Sequence, residues 1–309
     1  MGRSKKVTVD RPQTTERIFS LDVIRSLAIV MVVLNHAVES IYRLNLKDMA
    51  TIGLNSRIFA FSAFTLGRCG VPLFLLLTGY LVLSREYDAN GAERFWKNNF
   101  LRLVITWEIW IFIYNIFLTY FRHSRSFDFA MYLSNSLFLR HTELSHTWYV
   151  PMIIGMYFFL PLVSRIIHDL NVKVLCGLMT SVFIYFYLVP NYSILSDIYK
   201  WRRLGGQIDF SFSGGVYGFY LILGYLLSKY QLHIKEFLKR RYIFVVCIVL
   251  AALAFAISVY SQFFAYAHMR QYNIWYNFFT LPILGALIFS LAIYSFNDYH
   301  TPPHIAKIV

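Results

Sequence analysis

Charge is scarce in this chain. Asp, Glu, Lys and Arg together make up 15% of the 309 residues, against about 25% in an ordinary soluble domain. Acidic residues are the scarcer sign, 16 Asp and Glu against 29 Lys and Arg. The apolar share is correspondingly high, at 58%, with a mean hydropathy of +0.52. Disorder is excluded, because disordered chains are poor in apolar residues. An ordinary soluble globule is excluded too, because one of this size cannot hide so much apolar surface. The net charge of +13 therefore does not mark a nucleic-acid module, and no nucleic-acid partner is expected. Cytoplasmic loops of membrane proteins collect Lys and Arg, which accounts for the imbalance.

Cysteine is also sparse. Cys69, Cys176 and Cys247 form no CxxC pair and lie in or beside apolar runs. They read as small buried hydrophobes, with neither a disulfide framework nor a zinc site. His123, His141 and His146 lack metal-ligand spacing, so no metal is expected. No phosphate-loop pattern surrounds Gly205-Gly206 or Gly214-Gly215. No repeat of fixed period and no Pro-rich or Gly/Ser-rich linker divides the chain. The first apolar run is too long and too charged for a signal peptide and lacks an A-x-A site, so it is expected to stay in the mature protein.

What the sequence does have is long apolar runs. Eight stand out, at roughly 20–42, 58–83, 100–120, 147–167, 174–190, 212–228, 242–264 and 274–296. A membrane span needs about 20 such residues. The expected fold is an all-α polytopic transmembrane helix bundle of about eight spans. The run at 58–83 is interrupted by Arg68 and Gly70 and reads as one long span or as a short interfacial helix followed by a span. The expected organisation is an N-terminal tail over 1–19, a single membrane domain over 20–297 and a short tail over 298–309. Arg3, Lys5, Lys6, Arg11 and Arg17 precede the first run, and Lys235, Lys239, Arg240 and Arg241 fall on the same side. The positive-inside bias then puts the N-terminus in the cytoplasm and the chain in the cell (inner) membrane as a multi-pass protein, in contact with membrane lipids. The longest loops on the other side, about 121–146 and 191–211, are rich in Tyr, His, Ser and Asn.

The first run carries four ionisable residues, Asp22, Arg25, His36 and Glu39. Each costs at least about 2.5–3.5 kcal/mol near the centre of a span. Eleven residues at about 100° each bring Arg25 and His36 to within roughly 20° of one direction, and Asp22 and Glu39 join the same face at i−3 and i+3. Such a stripe is expected to face the bundle rather than lipid. Arg25 and His36 would lie about 16.5 Å apart along the axis. Arginine suits a phosphate, and histidine suits a general base near neutral pH. A structural ion pair with a hydrogen-bonded histidine is the simpler alternative.

Four segments, in this order, resemble acyltransferase family 3, a family of integral-membrane O-acyltransferases. Leu21-Asp22-Val23-Ile24-Arg25-Ser26-Leu27-Ala28 followed by His36 is similar to the family's opening signature of an Arg, ten residues and a His. Gly70-Val71-Pro72-Leu73-Phe74-Leu75-Leu76-Leu77-Thr78-Gly79-Tyr80 resembles its second-span motif, with Thr78 where Ser is common. His146-Thr147-Trp148-Tyr149-Val150-Pro151, with Tyr157 and Pro161, resembles its Trp-Tyr span, and Gly218-Phe219-Tyr220-Leu221-Ile222-Leu223-Gly224-Tyr225-Leu226 a later Gly-Tyr span. Two features depart from the pattern. The third span of many members opens with Arg-x-x-Arg, whereas here Asn99-Phe100-Leu101-Arg102 keeps only the second. The family's closing Ser-x-Gly-Ile-Tyr helix is not found before Val309, so one or two helices are expected to be missing.

The resemblance implies transfer of an acyl group, most often acetyl from cytoplasmic acetyl-CoA, to a hydroxyl of a cell-surface or lipid-linked glycan. Arg25 with Arg102 and Lys97, and Asp22 beside Arg25, would then serve the CoA phosphates. His36 would act as base or transient acyl carrier with Glu39 orienting it, and Trp148, Tyr149 and Arg68 would meet substrate. Arg68 and Tyr149 are also the candidates for an oxyanion stabiliser. Two other readings stay open: a transporter or flippase for a glycan or lipid-linked sugar, using the stripe for protons, and a truncated inactive homologue.

Overall fold

The computed structural model describes residues 18–121, 127–140, 145–205, 208–209 and 213–296, with the side chains of 145 and 146 outside the description. Both tails expected from the sequence therefore lie almost wholly outside the described residues, as do His123, His141 and the His146 ring. The described chain is helical, with no strand among the described residues. Six helices are long and apolar enough to cross a membrane: α1 (Phe19–Tyr42), α2 (Leu54–Leu83), α3 (Ala89–Phe121), α4 (Tyr149–Asp169), α5 (Val172–Tyr199) and α7 (Arg241–Ala267). The two remaining apolar runs give shorter helices among the described residues, α6 (Gly215–Lys229) at 15 residues and α8 (Thr280–Ser295) at 16. Six full-length spans and two short helices thus stand where eight spans were expected.

Local sequence sets the helix ends. Asp22 sits in the first turn of α1, where a carboxylate complements the helix dipole. Arg43 closes α1 in the left-handed region at φ 53°, returning its N–H to the Glu39 carbonyl. Asp88 and Asn171 cap α3 and α5 by accepting from backbone N–H groups of Gly91 and Lys173. The interruption expected within 58–83 is a single break at Cys69, between Leu54–Arg68 and Gly70–Thr78, and one 30-residue rod carries through it. A separate short helix, Leu46–Thr51, precedes that rod. Of the three cysteines expected to be buried only Cys69 is; Cys176 is exposed and Cys247 intermediate.

Close backbone approach builds the centre. α1 lies antiparallel on α2, with Gly67 against Asn35 and Gly70 against Val32 and the Ala28 carbonyl. α6 crosses α2 where two glycines meet backbone: a Cβ on Gly79 would fall on the Leu221 carbonyl oxygen, and one on Gly224 on that of Leu76. Small residues at a crossing let membrane helices reach van der Waals contact, which is the main attraction available between apolar rods in lipid.

The segment between α7 and α8 is the least expected element. The run read as 274–296 begins with coil, and its Ile274, Tyr276 and Phe278 are buried. Backbone without helical bonds survives inside a membrane protein only where protein groups satisfy it. Here Tyr220 donates to the Tyr276 carbonyl and Asn191 to that of Asn277. Tyr272 in turn donates to Asn191 Oδ1. Asn191, read from sequence as the start of a loop, is a half-buried residue of α5 holding this coil.

Gly224→Val places its first added carbon about 2.2 Å from the Leu76 carbonyl oxygen. It is expected to cost about 1–3 kcal/mol through overpacking, read as a fall of several degrees in the melting temperature of detergent-purified protein. Gly155→Ala, at a helical glycine with nothing within 4 Å, should leave that temperature unchanged or slightly raised.

Candidate functional site

Near its C-terminal end α1 presents three polar residues in one turn and a half: Asn35, His36 and Glu39. The Glu39 carboxylate collects all three neighbouring donors. Its Oε2 accepts from Asn35 Nδ2 at 3.0 Å and lies 3.4 Å from His36 Nδ1, while Oε1 accepts from Arg68 Nη2 at 2.9 Å. Arg68 reaches across from α2, and its other terminal nitrogen, Nη1, donates to the Tyr276 hydroxyl at 3.2 Å. Arg68 is only 4% exposed. Its guanidinium lies over the rings of Phe64 and Trp275 at 4.5 Å and of Tyr276 at 5.2 Å. These faces attract a cation most strongly when it is stripped of water.

Trp148, at the entry to α4, completes the aromatic surround. Its ring centre is 5.4 Å from Tyr276, 5.6 Å from Tyr217 of α6 and 5.8 Å from Trp275. Tyr149 follows on the side of Phe74, at 6.5 Å. Five of the residues singled out from sequence thus converge: His36, Glu39, Arg68, Trp148 and Tyr149. Arg68 is positioned under the aromatic rings with both terminal nitrogens engaged, and its Nε is buried with no hydrogen-bond partner among the described residues.

The other four lie elsewhere. Arg25 and Asp22 sit near the opposite end of α1, joined to each other at 2.7 Å, with the Arg25 side chain 39% exposed. Lys97 is paired with Glu93 one turn back on α3, and Arg102 is exposed on the same helix. Among the described residues no hydrogen bond or ion pair joins Lys97 or Arg102 to Arg25.

The stripe itself runs along the border of the buried face of α1. Ile24, Ala28, Asn35 and Val38 take the centre of that face, because they meet Gly67, Gly70 and the small-residue side of α2. Arg25, Ile29 and His36 stand about a quarter turn away and are half to largely exposed. A common face was legible from spacing, but its position relative to the partner helix was not.

Sequence reasoning missed Asn35, Tyr217, Trp275 and Tyr276. Asn35 had a usable signal, an amide inside an apolar run and next to His36. The aromatic residues had none, since their proximity depends on the buried coil. A carboxylate 3.4 Å from one imidazole nitrogen is an arrangement suited to orienting a proton-transfer group.

Comparison with known proteins gives one finding. The acyltransferase family 3 model, described as an acyltransferase domain, matches residues 18–307. No curated protein and no solved structure matches the chain.

Arg68→Met leaves the Glu39 carboxylate without its cation. It should lower the detergent melting temperature, and Arg68→Met combined with Glu39→Gln should recover part of that loss. A coupling of about 0.5–3 kcal/mol between the two sites is expected from the thermal unfolding of the four proteins.

Proposed function

The chain belongs to this acyltransferase family, and from that premise we propose that it transfers an acyl group, acetyl in the first instance, from cytoplasmic acyl-CoA to a hydroxyl of a cell-surface or lipid-linked glycan. The observation that carries this reading is the Glu39 carboxylate held between Arg68 and His36. With the Nδ1 proton of His36 directed at Glu39, Nε2 keeps its lone pair. It takes the proton of the acceptor hydroxyl as that oxygen attacks the thioester carbon, and returns it to the departing thiolate. Glu39 orients the ring and balances its transient positive charge.

Acyl transfer also needs donors for the developing oxyanion, worth about 2.7–4 kcal/mol each where such donors have been removed. The Tyr276 hydroxyl accepts from Arg68 Nη1, so its own proton is directed away from the guanidinium. We assign it that role, with Tyr149 as the neighbouring alternative. Trp148 offers an aromatic face to a sugar ring. At the other end of α1, Asp22 holds one guanidinium nitrogen of Arg25, leaving the rest of a half-exposed fork for a phosphate of CoA. Arg102 and Lys97 would add charge at the same mouth. The thioester supplies the activated acyl group. The orientation that serves this chemistry has the N-terminus in the cytoplasm of a cell (inner) membrane.

The test is membrane incubation with radiolabelled acetyl-CoA, tracing label into glycan. His36→Ala should abolish transfer while leaving membrane insertion intact. Tyr276→Phe should lower kcat about 10²–10³-fold with little change in KM for acetyl-CoA. Full transfer by His36→Ala would refute the reading, and movement of glycan across the membrane without covalent change would favour a transporter.

A further inference from the structure

A second feature lies on the far side of the buried coil. Between α5, α7 and the start of α8 runs a slot of about 320 Å³. Its walls are mostly apolar, with Leu188, Leu195, Phe264 and Phe279 among them, and Asn191, Tyr192, Ser261 and Tyr272 supply the polar groups. None of the proposed transfer residues lines it.

The mouth of the slot is chemically different. Trp201 stacks on Tyr199 at 5.0 Å and on Tyr192 at 6.3 Å, a cluster of the kind that marks the membrane–water boundary. Around it stand four exposed cations, Lys200, Arg202, Arg203 and Arg270. Asp197 draws two of them to one point, accepting from Arg203 Nε at 2.7 Å on its carboxylate and from Arg270 Nη2 at 3.5 Å on its carbonyl. Rim and slot form one structure, because Tyr192 lines the slot while its hydroxyl donates to the Arg202 carbonyl. Phe264 of the slot likewise packs on Tyr199 of the rim.

An apolar channel entering from a boundary crowded with cations is complementary to an anionic amphiphile. With the N-terminus inside, this cluster also lies on the side that the positive-inside bias depletes of Lys and Arg, so topology does not account for it. We propose that the slot binds one phospholipid with a net negative headgroup, its chain between α5 and α7 and its phosphate at Arg203 and Arg270. The occupant presses on Tyr272 and Phe278, the two ends of the coil that carries Trp275 and Tyr276 to Arg68. A bound lipid therefore braces the wall of the candidate site from behind.

The experiment is thermal unfolding of the full detergent-purified chain with phosphatidylglycerol, phosphatidylcholine or inorganic phosphate as probe. A ligand that binds only the folded state raises the melting temperature with its concentration. Phosphatidylglycerol should raise it by several degrees, and the other two should not. Ser261→Trp, which fills the slot, should lose the response. Arg203→Gln with Arg270→Gln should need at least tenfold more phosphatidylglycerol for the same shift above its own lipid-free temperature. That double variant decides the matter if Ser261→Trp does not fold. His36→Ala should respond as the native chain does, which separates this proposal from the transfer reading. An equal rise with phosphatidylcholine, a rise with phosphate alone, or an undiminished response in the arginine double variant would overturn the proposal.

Discussion

One carboxylate, Glu39, ties together parts of the chain that are distant in sequence. It joins α1 to α2 through Arg68, and Arg68 joins both to the coil before α8 through Tyr276. An arginine buried in an apolar bundle is costly without a counter-charge, and a carboxylate beside it gains most when every lone pair finds a donor. Glu39 accepts from Arg68 and Asn35 and stands beside His36. Fixing the carboxylate also fixes the histidine, so the same interaction that settles an expensive charge orients the group best suited to move a proton.

The coil is the second constraint. Residues 268–279 carry no regular helix, and the part from Ile274 to Phe278 is packed inside the bundle. A helix there would direct Trp275 and Tyr276 a third of a turn apart. A turn, closed by the Phe278 N–H donating to the Trp275 carbonyl, instead lets both rings cover Arg68. Tyr220 and Asn191 supply the hydrogen bonds that such backbone lacks, and α6 is held where Tyr220 can do so by the glycine crossing with α2. The short α8 follows directly, since residues spent on the coil are not available to the span. The slot between α5 and α7 shares Tyr272 and Phe278 with this coil, which links it to the buried arginine.

Much of this was legible in the sequence and some was not. Apolar runs of about 20 residues located α1 to α8, because length and hydropathy are local properties, but not the short helices Leu46–Thr51, Phe129–Ser136 and Gln231–Leu238. Spacing put Arg25, His36, Asp22 and Glu39 on one face, for the same reason. Arg68 drew notice as an interruption of an apolar run, and Trp148 and Tyr149 through the resemblance of their segment to the family's Trp-Tyr span. What spacing cannot provide is the partner. Arg68 lies 29 residues from Glu39 and Tyr276 lies 208 from Arg68, and nothing periodic connects them. The coil escaped notice because Asn273-Ile274-Trp275-Tyr276-Asn277-Phe278-Phe279 is apolar enough to read as the first turns of a span. The border position of the stripe escaped notice because it depends on Gly67 and Gly70 of α2, which drew Asn35 and Ala28 to the centre of the face.

The central claim is that Glu39 acts through His36. It is tested most directly by a double-mutant cycle on kcat/KM for acyl transfer with His36→Ala, Glu39→Gln and the pair. Residues that work as one unit are strongly non-additive. The account predicts that Glu39→Gln slows the native chain at least tenfold but has no further effect once His36 is gone. Equal losses from Glu39→Gln in both backgrounds, or no loss in the native one, would contradict it.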